Sequence, residues 1–252
     1  MHHGATVYGG MATVPGRQDA LRHAVASLLP QLDHLFVHAN YAASDPIPAC
    51  LVHPKITVVR SSDTEDWGDA GKFYSLCTPG RVPAGAYTVT VDDDIGYPPQ
   101  FVTTMLACCR RHMDRAIVTY HGGILPPRVT SYTRQRNAVH FNDANARDLP
   151  ANIMGTGAAL YPPGLCQRLP FRRVFTRRNS ADLLMALHAQ RAGVPVVITR
   201  HPANAFRAFE HDNTLWDQEV AGHARNALAR QNTKDAGAVR WVVHPAPRPP
   251  GP

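Results

Sequence analysis

The sequence lacks several features that would place it in a specialised class of protein. No apolar run approaches the ~20 residues that span a bilayer, and no segment repeats along the chain. The five cysteines form no CxxC pair, and their odd number favours buried free thiols over disulfides or a zinc site. Residues 1–17 lack the basic region, apolar core and cleavage site of a signal peptide. We therefore expect a soluble, cytoplasmic protein.

The composition that is present is globular and basic. Apolar residues make up 44% of the chain and charged residues 18%, which is enough for one large core at this length. Lys and Arg outnumber Asp and Glu by 26 to 19, and such an excess favours an anionic partner, whether nucleic acid, a phosphorylated small molecule or an acidic membrane surface. We expect a single domain over residues 1–230 and a flexible, proline-rich tail over residues 231–252.

Segments of strand composition alternate with segments of helical periodicity, which predicts an α/β fold. Helices are predicted from the Gly16–Gln31 segment, from Pro99 onward, and from Ser180 as N-cap to Gly193. Residues 121–178 are rich in loop signals and predict irregular structure facing the substrate. The predicted strands cover residues 5–14, 34–38, 55–60, 86–91, 116–120 and 194–199.

The stretch YTVTVDDDIGYPP joins a predicted strand to three successive aspartates. Because side chains alternate along a strand, Asp92 and Asp94 are predicted to project together and Asp93 away from them. Two carboxylates ~4 Å apart repel by about 1 kcal/mol in water and about 4 kcal/mol at a partly buried site, and a divalent cation turns this repulsion into attraction. The triplet therefore predicts a metal or nucleotide site, with a helix cap as the alternative.

Several motifs, taken in order, resemble the GT-A fold glycosyltransferases, and most closely the bacterial enzymes that build capsule and lipopolysaccharide glycans. VTVDDDI is similar to the DXD motif of that family, and the match extends over most of the chain. The other matching segments are MATVPGR, VHAN, GDAGKFY, HGG, GTGAALYPP and ADLLMALHAQRAGVPVV.

The resemblance implies a GT-A, Rossmann-like domain with a mixed, mostly parallel sheet flanked by helices. It implies inverting transfer of a sugar from a nucleoside diphosphate donor, a UDP-sugar, to a saccharide or lipid-linked acceptor in surface polysaccharide biosynthesis. Asp92 and Asp94 would hold Mn²⁺ or Mg²⁺, and His211 would be a further ligand, with His201 as the next choice. Residues implied in nucleotide binding are Thr13, Pro15, Arg17, Asn40, Asp69, Lys72, Asp92 and Asp93.

Two of these expectations have plain alternatives. Lys72 would reach a phosphate, but the same glycine-rich segment also suits a solvated turn. Asp182, in the first turn of its helix, would accept the proton of the acceptor hydroxyl as the catalytic base, but a helix-capping role explains the position as well. The acidic residue that the family places before this aspartate is Ala181 here.

Five arginines precede the predicted helix of Asp182, and they suit an acceptor phosphate, a lipid diphosphate or peripheral contact with the acidic inner membrane. They are Arg168, Arg172, Arg173, Arg177 and Arg178. The first alternative function is a sugar-phosphate nucleotidyltransferase, although TVPGRQDA lacks the glycine-rich loop expected after its first strand. The second is a basic nucleic-acid-binding protein, which aspartates at a cleft disfavour, so no nucleic-acid partner is expected.

Overall fold

A computed structural model describes residues 4–209 and 224–247. Each of the six predicted strands is found, shortened by up to two residues at an end or extended by one. The strands are β1 Val7–Thr13, β2 His34–Ala39, β3 Ile56–Arg60, β4 Tyr87–Val91, β5 Ile95–Gly96, β6 Ile117–Thr119, β7 Gly122–Ile124, β8 Asn137–Val139, β9 Leu149–Ala151, β10 Ile153–Met154, β11 Ala158–Tyr161, β12 Val196–Ile198 and β13 Arg207–Ala208.

The three predicted helices are also present, and Gly193 ends the third of them with a left-handed backbone (φ 65°). The helices are α1 Gln18–Leu28, α2 Gly71–Cys77, α3 Phe101–Arg111, α4 Tyr132–Gln135, α5 Phe171–Val174, α6 Ala181–Ala192 and α7 Ala224–Gly237. None of the helices in the described ranges has the length and apolar character needed to cross a membrane.

Eight strands form the main sheet, in the order β3-β2-β1-β4-β11-β6-β12-β9. Strands β11 and β9 run opposite to their neighbours, and the other six are parallel to one another. The prediction of a mixed, mostly parallel α/β sheet flanked by helices is confirmed. Parallel strands end at a common edge, so the residues that follow β1, β4 and β6 are brought together.

Helices cover both faces of this sheet. On one face, α1 and α3 bury the apolar stripes that the sequence predicted, including Leu21, Val25 and Met105. On the other face, α2 and α6 pack with Phe73 and Leu184 in a separate buried cluster. Each strand of the middle of the sheet is therefore buried on both sides, which explains its nearly continuous apolar composition.

The prediction of irregular structure over residues 121–178 is wrong in one important respect. This segment contributes β11 to the centre of the main sheet, between β4 and β6. It also forms β9 at the sheet edge and a second sheet of β10, β7 and β8. The error arises because these strands are only two to four residues long, too short to give a recognisable alternation of apolar and polar residues.

The C-terminal segment also differs from the expected flexible tail beginning at residue 231. Helix α7 continues to Gly237, and Trp241 is buried, with its Nε1 donating to the Ala236 carbonyl at 2.8 Å. Farther along, the Pro247 carbonyl lies 3.1 Å from His112 Nδ1 on the main body. The described part of this segment is thus packed against the domain through buried aromatic surface, despite its high proline content.

Candidate active site

A cavity of about 360 Å³ opens where β1, β4 and β6 end. It has the position at which ligands bind in open α/β sheets. Most of the residues that the sequence singled out line this one cavity: Thr13, Arg17, Asn40, Asp69, Lys72, Asp92, Asp93, Asp94 and Asp182. Pro15 is exposed and is not part of the lining that the described residues form, and His211 lies outside the described residues.

The three aspartates do not alternate as an extended strand would require. Strand β4 ends at Val91, and the chain then turns, so all three carboxylates line the cavity. Asp93, which was expected to point away, is 3% exposed. It accepts hydrogen bonds from Thr13 Oγ1 at 2.6 Å and from Arg17 Nη1 at 2.7 Å. Asp93 therefore anchors the loop after β1 to the loop after β4.

Asp94 carries the least compensated charge of the triplet. Its nearest described cation is Arg17, whose Nη1 lies 3.3 Å from Oδ2 and is shared with Asp93. Burial and the neighbouring charges of Asp92 and Asp93 raise the pKa of Asp94 to about 7, against the opposing charge of Arg17. A positive group bound beside this carboxylate would relieve the excess of negative charge.

Lys72 lies at the first turn of α2, close under β1. The close approach depends on Gly10 of β1, because a Cβ there would lie 2.0 Å from the Lys72 carbonyl oxygen. The Lys72 ammonium is buried and pairs with Asp92 Oδ1. Burial by itself raises the pKa of Asp92, but the charge and hydrogen bond of Lys72 outweigh it and lower that pKa. Lys72 is therefore a cavity-lining cation and not part of a solvated turn.

Asp69 joins the two halves of the site. Its Oδ2 accepts the backbone N–H of Ala181 at 2.9 Å, so it caps α6 from 112 residues away. Ser180, the predicted cap, makes no such bond and instead contacts Asn232. Burial raises the pKa of Asp69 to about 6, although the charge of Lys72 and the bond from Ala181 oppose the shift. Asp69 thus serves the local structure as well as the cavity.

Asp182 is held by the segment that precedes β11. Its Oδ1 accepts from both the backbone N–H and the hydroxyl of Thr156, at 2.8 and 2.7 Å. Within the described part of the chain, both hydrogen bonds of this carboxylate come from Thr156, so it does not cap its own helix. Oδ2 takes no part in these bonds, and Asp182 lines the cavity.

The glycines on either side of Thr156 allow two cavity residues to approach closely. A Cβ on Gly155 would lie 1.8 Å from His121 Nε2, and one on Gly157 would lie 2.0 Å from Asp92 Oδ2. Burial lowers the pKa of His121 to about 4 despite the nearby charges of Asp182 and Asp92. His121 is therefore neutral at physiological pH. The two glycines of the GTG segment are needed because His121 and Asp92 pack directly against their backbone.

Tyr97 supports this arrangement from behind the cavity. Its hydroxyl accepts the backbone N–H of Asp92 at 2.7 Å and donates to the Gly157 carbonyl at 2.6 Å. It therefore fixes the aspartate turn to the glycine segment. Tyr97 is 4% exposed, and its position in the GYPP stretch does not indicate this role.

Sequence reasoning missed other cavity residues because nothing in their neighbourhood marks them. Thr156, Tyr132, Arg136 and Asn232 all line the cavity. Arg136 and Tyr132 come from the short helix α4 and the residue after it, and Asn232 comes from α7 in the supposed tail. Only Thr156 lay within a motif that the sequence had singled out.

The arginine-rich segment before α6 is largely occupied by internal contacts. Arg172 pairs with Glu65 at 3.1 Å, and Arg178 pairs with Asp66 at 2.9 Å. Arg177 contacts Asp235 of α7. These pairs join α5 and the loop before α6 to neighbouring parts of the domain, so much of the charge offered to an acceptor or membrane is already compensated.

Comparison with known proteins gave matches among solved structures, whereas no family model and no curated relative matched. One is the crystal structure of a 4-diphosphocytidyl-2C-methyl-D-erythritol synthase, 12% identical, with 87% of this chain and 98% of that chain covered and a TM-score of 0.47. Another is the 2-C-methyl-D-erythritol 4-phosphate cytidylyltransferase of Francisella tularensis, also 12% identical, with 86% and 98% covered and a TM-score of 0.42.

These comparisons correct the main expectation of the sequence analysis. That expectation was a DXD-type glycosyltransferase, whereas the names of the matched structures describe a cytidylyltransferase and the synthase of a diphosphocytidyl compound. The prediction of a glycosyltransferase is therefore wrong, and the first alternative, nucleotidyl transfer, agrees better with the findings. At 12% identity the likeness concerns the course of the chain, and the activity has to be argued from the side chains of the cavity.

Proposed function

We propose that this chain is a metal-dependent nucleotidyltransferase. It would join the nucleoside monophosphate part of a nucleoside triphosphate to the phosphate group of a phosphorylated sugar or polyol, with release of pyrophosphate. The observation that carries the proposal is a pair of buried cations, Arg17 and Lys72, which are 8% and 5% exposed and line one cavity at the carboxyl edge of the sheet.

Buried cations of this kind suit a triphosphate. Arg17 belongs to the loop after β1 and Lys72 to the start of α2, so they approach the cavity from two different elements. Both are held in place by carboxylates, Asp93 for Arg17 and Asp92 for Lys72, which fixes their geometry before any ligand arrives. Positioned cations stabilise the charge that develops on a phosphoryl group and on its leaving group.

The cavity also fits a divalent cation. Five carboxylates line it, against the three permanently cationic side chains of Arg17, Lys72 and Arg136, and a phosphate ligand would add further negative charge. Asp94, with its raised pKa of about 7, is the carboxylate in most need of a positive partner. Mg²⁺ and Mn²⁺ prefer such oxygen ligands, and Asp94 with the free oxygen of Asp92 would hold the ion. A bound ion would supply charge stabilisation on the phosphates.

The reaction is balanced without a protein base. An oxygen of the acceptor phosphate attacks the α-phosphorus of the triphosphate, and the bond from that phosphorus to the oxygen bridging the α- and β-phosphates breaks. The leaving pyrophosphate takes the electron pair. Because the attacking phosphate oxygen is already ionised near neutral pH, no proton has to be removed. A neutral His121 and an Asp182 bonded to Thr156 agree with this requirement, and both would orient the acceptor.

The proposal is tested by pyrophosphate release. The protein is incubated with ATP, CTP, GTP or UTP and MgCl₂, against a panel of sugar phosphates and polyol phosphates, and pyrophosphate is measured by a coupled assay. We expect one triphosphate to be preferred and its turnover to be abolished by chelator. Lys72→Met should lower kcat/KM by about 10²–10³-fold, since it removes a positioned charge at the phosphates.

Lys234→Met is the matched control, because Lys234 is exposed on α7 and does not line the cavity. Its kcat/KM should equal that of the wild type. Absence of pyrophosphate with all four triphosphates across the acceptor panel would contradict the proposed reaction. Equal losses in the Lys72→Met and Lys234→Met variants would contradict the role of the buried cation.

A further inference from the structure

A second cluster of metal-binding side chains lies away from the cavity, at the C-terminal end of α3. The ligand atoms of Cys108, His112 and Asp148 all lie within 4.8 Å of one another. Cys108 and His112 are four residues apart and so share one face at the end of α3. Asp148 directly precedes β9 at the edge of the main sheet. None of the three lines the candidate active site.

His112 is arranged as a metal ligand would be. Its Nδ1 lies 3.1 Å from the Pro247 carbonyl, and because a carbonyl only accepts, Nδ1 must carry the proton. In the neutral ring, Nε2 then has a free lone pair. That atom is buried and has no hydrogen-bond partner among the described residues, and the residue as a whole is 9% exposed. Metal-binding histidines are usually fixed by such a bond from their other nitrogen.

The carboxylate of Asp148 lies beside this nitrogen. His112 Nε2 lies 3.6 Å from Asp148 Oδ2, which is too long for a hydrogen bond. A buried ring nitrogen without a hydrogen-bond partner costs free energy. A metal cation placed among Nε2, Oδ2 and the Cys108 sulfur would supply the missing partner.

Arg111 and Arg200 hold Asp148 in this orientation. The Arg111 side chain donates to both oxygens, with Nη2 at 3.0 Å from Oδ1 and 2.8 Å from Oδ2 and Nε at 3.1 Å from Oδ2. The backbone N–H of Arg200 adds a bond to Oδ1 at 3.1 Å. Each oxygen accepts two of these bonds, so the orientation of the carboxylate is fixed, and an ion bound at Oδ2 would share that oxygen with Arg111. Hydrogen-bonded carboxylates of this kind are common around bound metals.

We infer that Cys108, His112 and Asp148 form a binding site for Zn²⁺ or a similar borderline transition-metal cation. One thiolate, one imidazole and one carboxylate are the ligand types of protein zinc sites, with an ion-to-ligand distance of about 2.0–2.3 Å. Such ligands lie roughly 3.3–3.8 Å apart around a tetrahedral ion, so small side-chain movements from the present separations suffice. The Cys108 thiol loses its proton to solvent on binding, and a water completes the fourth position.

The site would join three parts of the fold. Cys108 and His112 belong to α3, Asp148 belongs to the chain entering β9, and Pro247 belongs to the C-terminal segment. Asp148 is the most exposed member, with 19% of its side chain accessible, against 11% for His112, so an ion would enter from its side. The sequence analysis favoured free thiols over a zinc site, because no CxxC pair is present and Asp148 lies 36 residues beyond His112.

Cobalt and zinc titrations of the full-length protein test this inference. Co²⁺ alone is the first probe, because a thiolate-to-cobalt charge-transfer band requires a cysteine ligand and is silent for carboxylate sites such as the one at Asp94. We expect one equivalent of Co²⁺ to produce this band and Zn²⁺ to displace it. Cys108→Ala should abolish the band, and His112→Ala should weaken Zn²⁺ binding by more than the roughly 10–100-fold typical of outer-shell changes.

Two further variants keep the test decisive if a ligand variant folds poorly. Cys109→Ala removes a neighbouring buried thiol that is bonded to the Ala116 carbonyl, and its band and affinity should match the wild type. Arg111→Ala retains all three ligands and should weaken binding by about 10–100-fold, since it frees the orientation of Asp148. A missing band in the wild type, or a band that Cys108→Ala retains, would overturn the inference.

Discussion

The substitution Gly157→Ala should disable the candidate active site without touching any charged residue. The added Cβ would lie 2.0 Å from Asp92 Oδ2 and 2.7 Å from Asp92 Cγ, whereas ordinary contact begins at 3.4 Å. The Asp92 carboxylate would therefore have to retreat by about 1.4 Å, the difference between 2.0 and 3.4 Å. Backbone strain is not involved, because the φ angle of Gly157 lies outside the left-handed region.

The magnitude of the effect follows from this displacement. Overpacking of a well-filled site costs typically 1–3 kcal/mol of folding free energy. Misplacement of an active-site group by about 1 Å costs about 10²-fold in rate. Since Asp92 pairs with Lys72 and would also hold the metal, we expect both kcat/KM for Mg²⁺-dependent pyrophosphate release and calorimetric affinity for the preferred triphosphate to fall by about 10²-fold.

Gly85→Ala is the matched control. A Cβ at Gly85 meets no atom within 4 Å, and its φ also lies outside the left-handed region, so neither rate nor melting temperature should change. If Gly157→Ala retained kcat/KM and triphosphate affinity within about threefold, the reasoning that Asp92 must lie against Gly157 would be refuted. A lower melting temperature with normal nucleotide binding would locate the effect in stability alone.

Three other predictions concern charge and packing. Asp94→Asn should lower Mg²⁺-dependent triphosphate affinity at least about tenfold in calorimetry, with little change in melting temperature. Asp93→Asn should instead lower the melting temperature, because Asp93 anchors Thr13 and Arg17. A loss of stability in Asp94→Asn together with a loss of affinity alone in Asp93→Asn would contradict both assignments. Because the folded-state pKa of Asp69 is raised from 3.8 to about 6, its ionisation lowers the free energy of unfolding as the pH rises from about 4 through about 6. Urea unfolding should show this loss in the wild type and a smaller loss in Asp69→Asn. Equal dependence of the unfolding free energy on pH in the two proteins would contradict this role of Asp69. Trp241→Ala should lower the free energy of unfolding in urea by about 3–5 kcal/mol. Val242→Ala, at an exposed neighbouring position, should lower it by at most about 0.5 kcal/mol. An equally small loss for Trp241→Ala would support the expected flexible tail.

Much of the fold was predictable because it depends on patterns of long segments. The apolar strands that became β1 to β4 and the stripes of α1 and α3 are each five or more residues long, and such periodic segments are the strongest signals in a sequence. The same patterns placed Asp92 and Asp94 at the edge of the sheet. Strand β11 escaped prediction because its four residues Ala158–Tyr161 lie among glycines and prolines.

The candidate site was predictable only where chemistry and position coincided. The aspartates, Lys72 and Asp182 stand next to recognisable strands or helix starts, so their presence at the cavity could be expected. Their partners could not, because Asp69 caps α6 and Thr156 holds Asp182 through contacts across 112 and 26 residues. The resemblance to glycosyltransferases rests on an acidic turn after a strand, and such a turn suits a metal-bound phosphate in sugar transfer and in nucleotidyl transfer alike.

The reversed direction of β11 limits which amino acids the site can accept. In a wholly parallel sheet, only segments that follow strands reach the carboxyl edge, but an antiparallel strand brings its preceding segment there as well. Gly155, Thr156 and Gly157 therefore enter between the residues that follow β4 and β6, namely Asp92 and His121. The side chains of Asp92 and His121 already fill the space beside Gly157 and Gly155. In a library of variants, positions 155 and 157 should accept glycine alone, whereas position 156 should accept serine in place of threonine, because it needs a hydroxyl and not a shape.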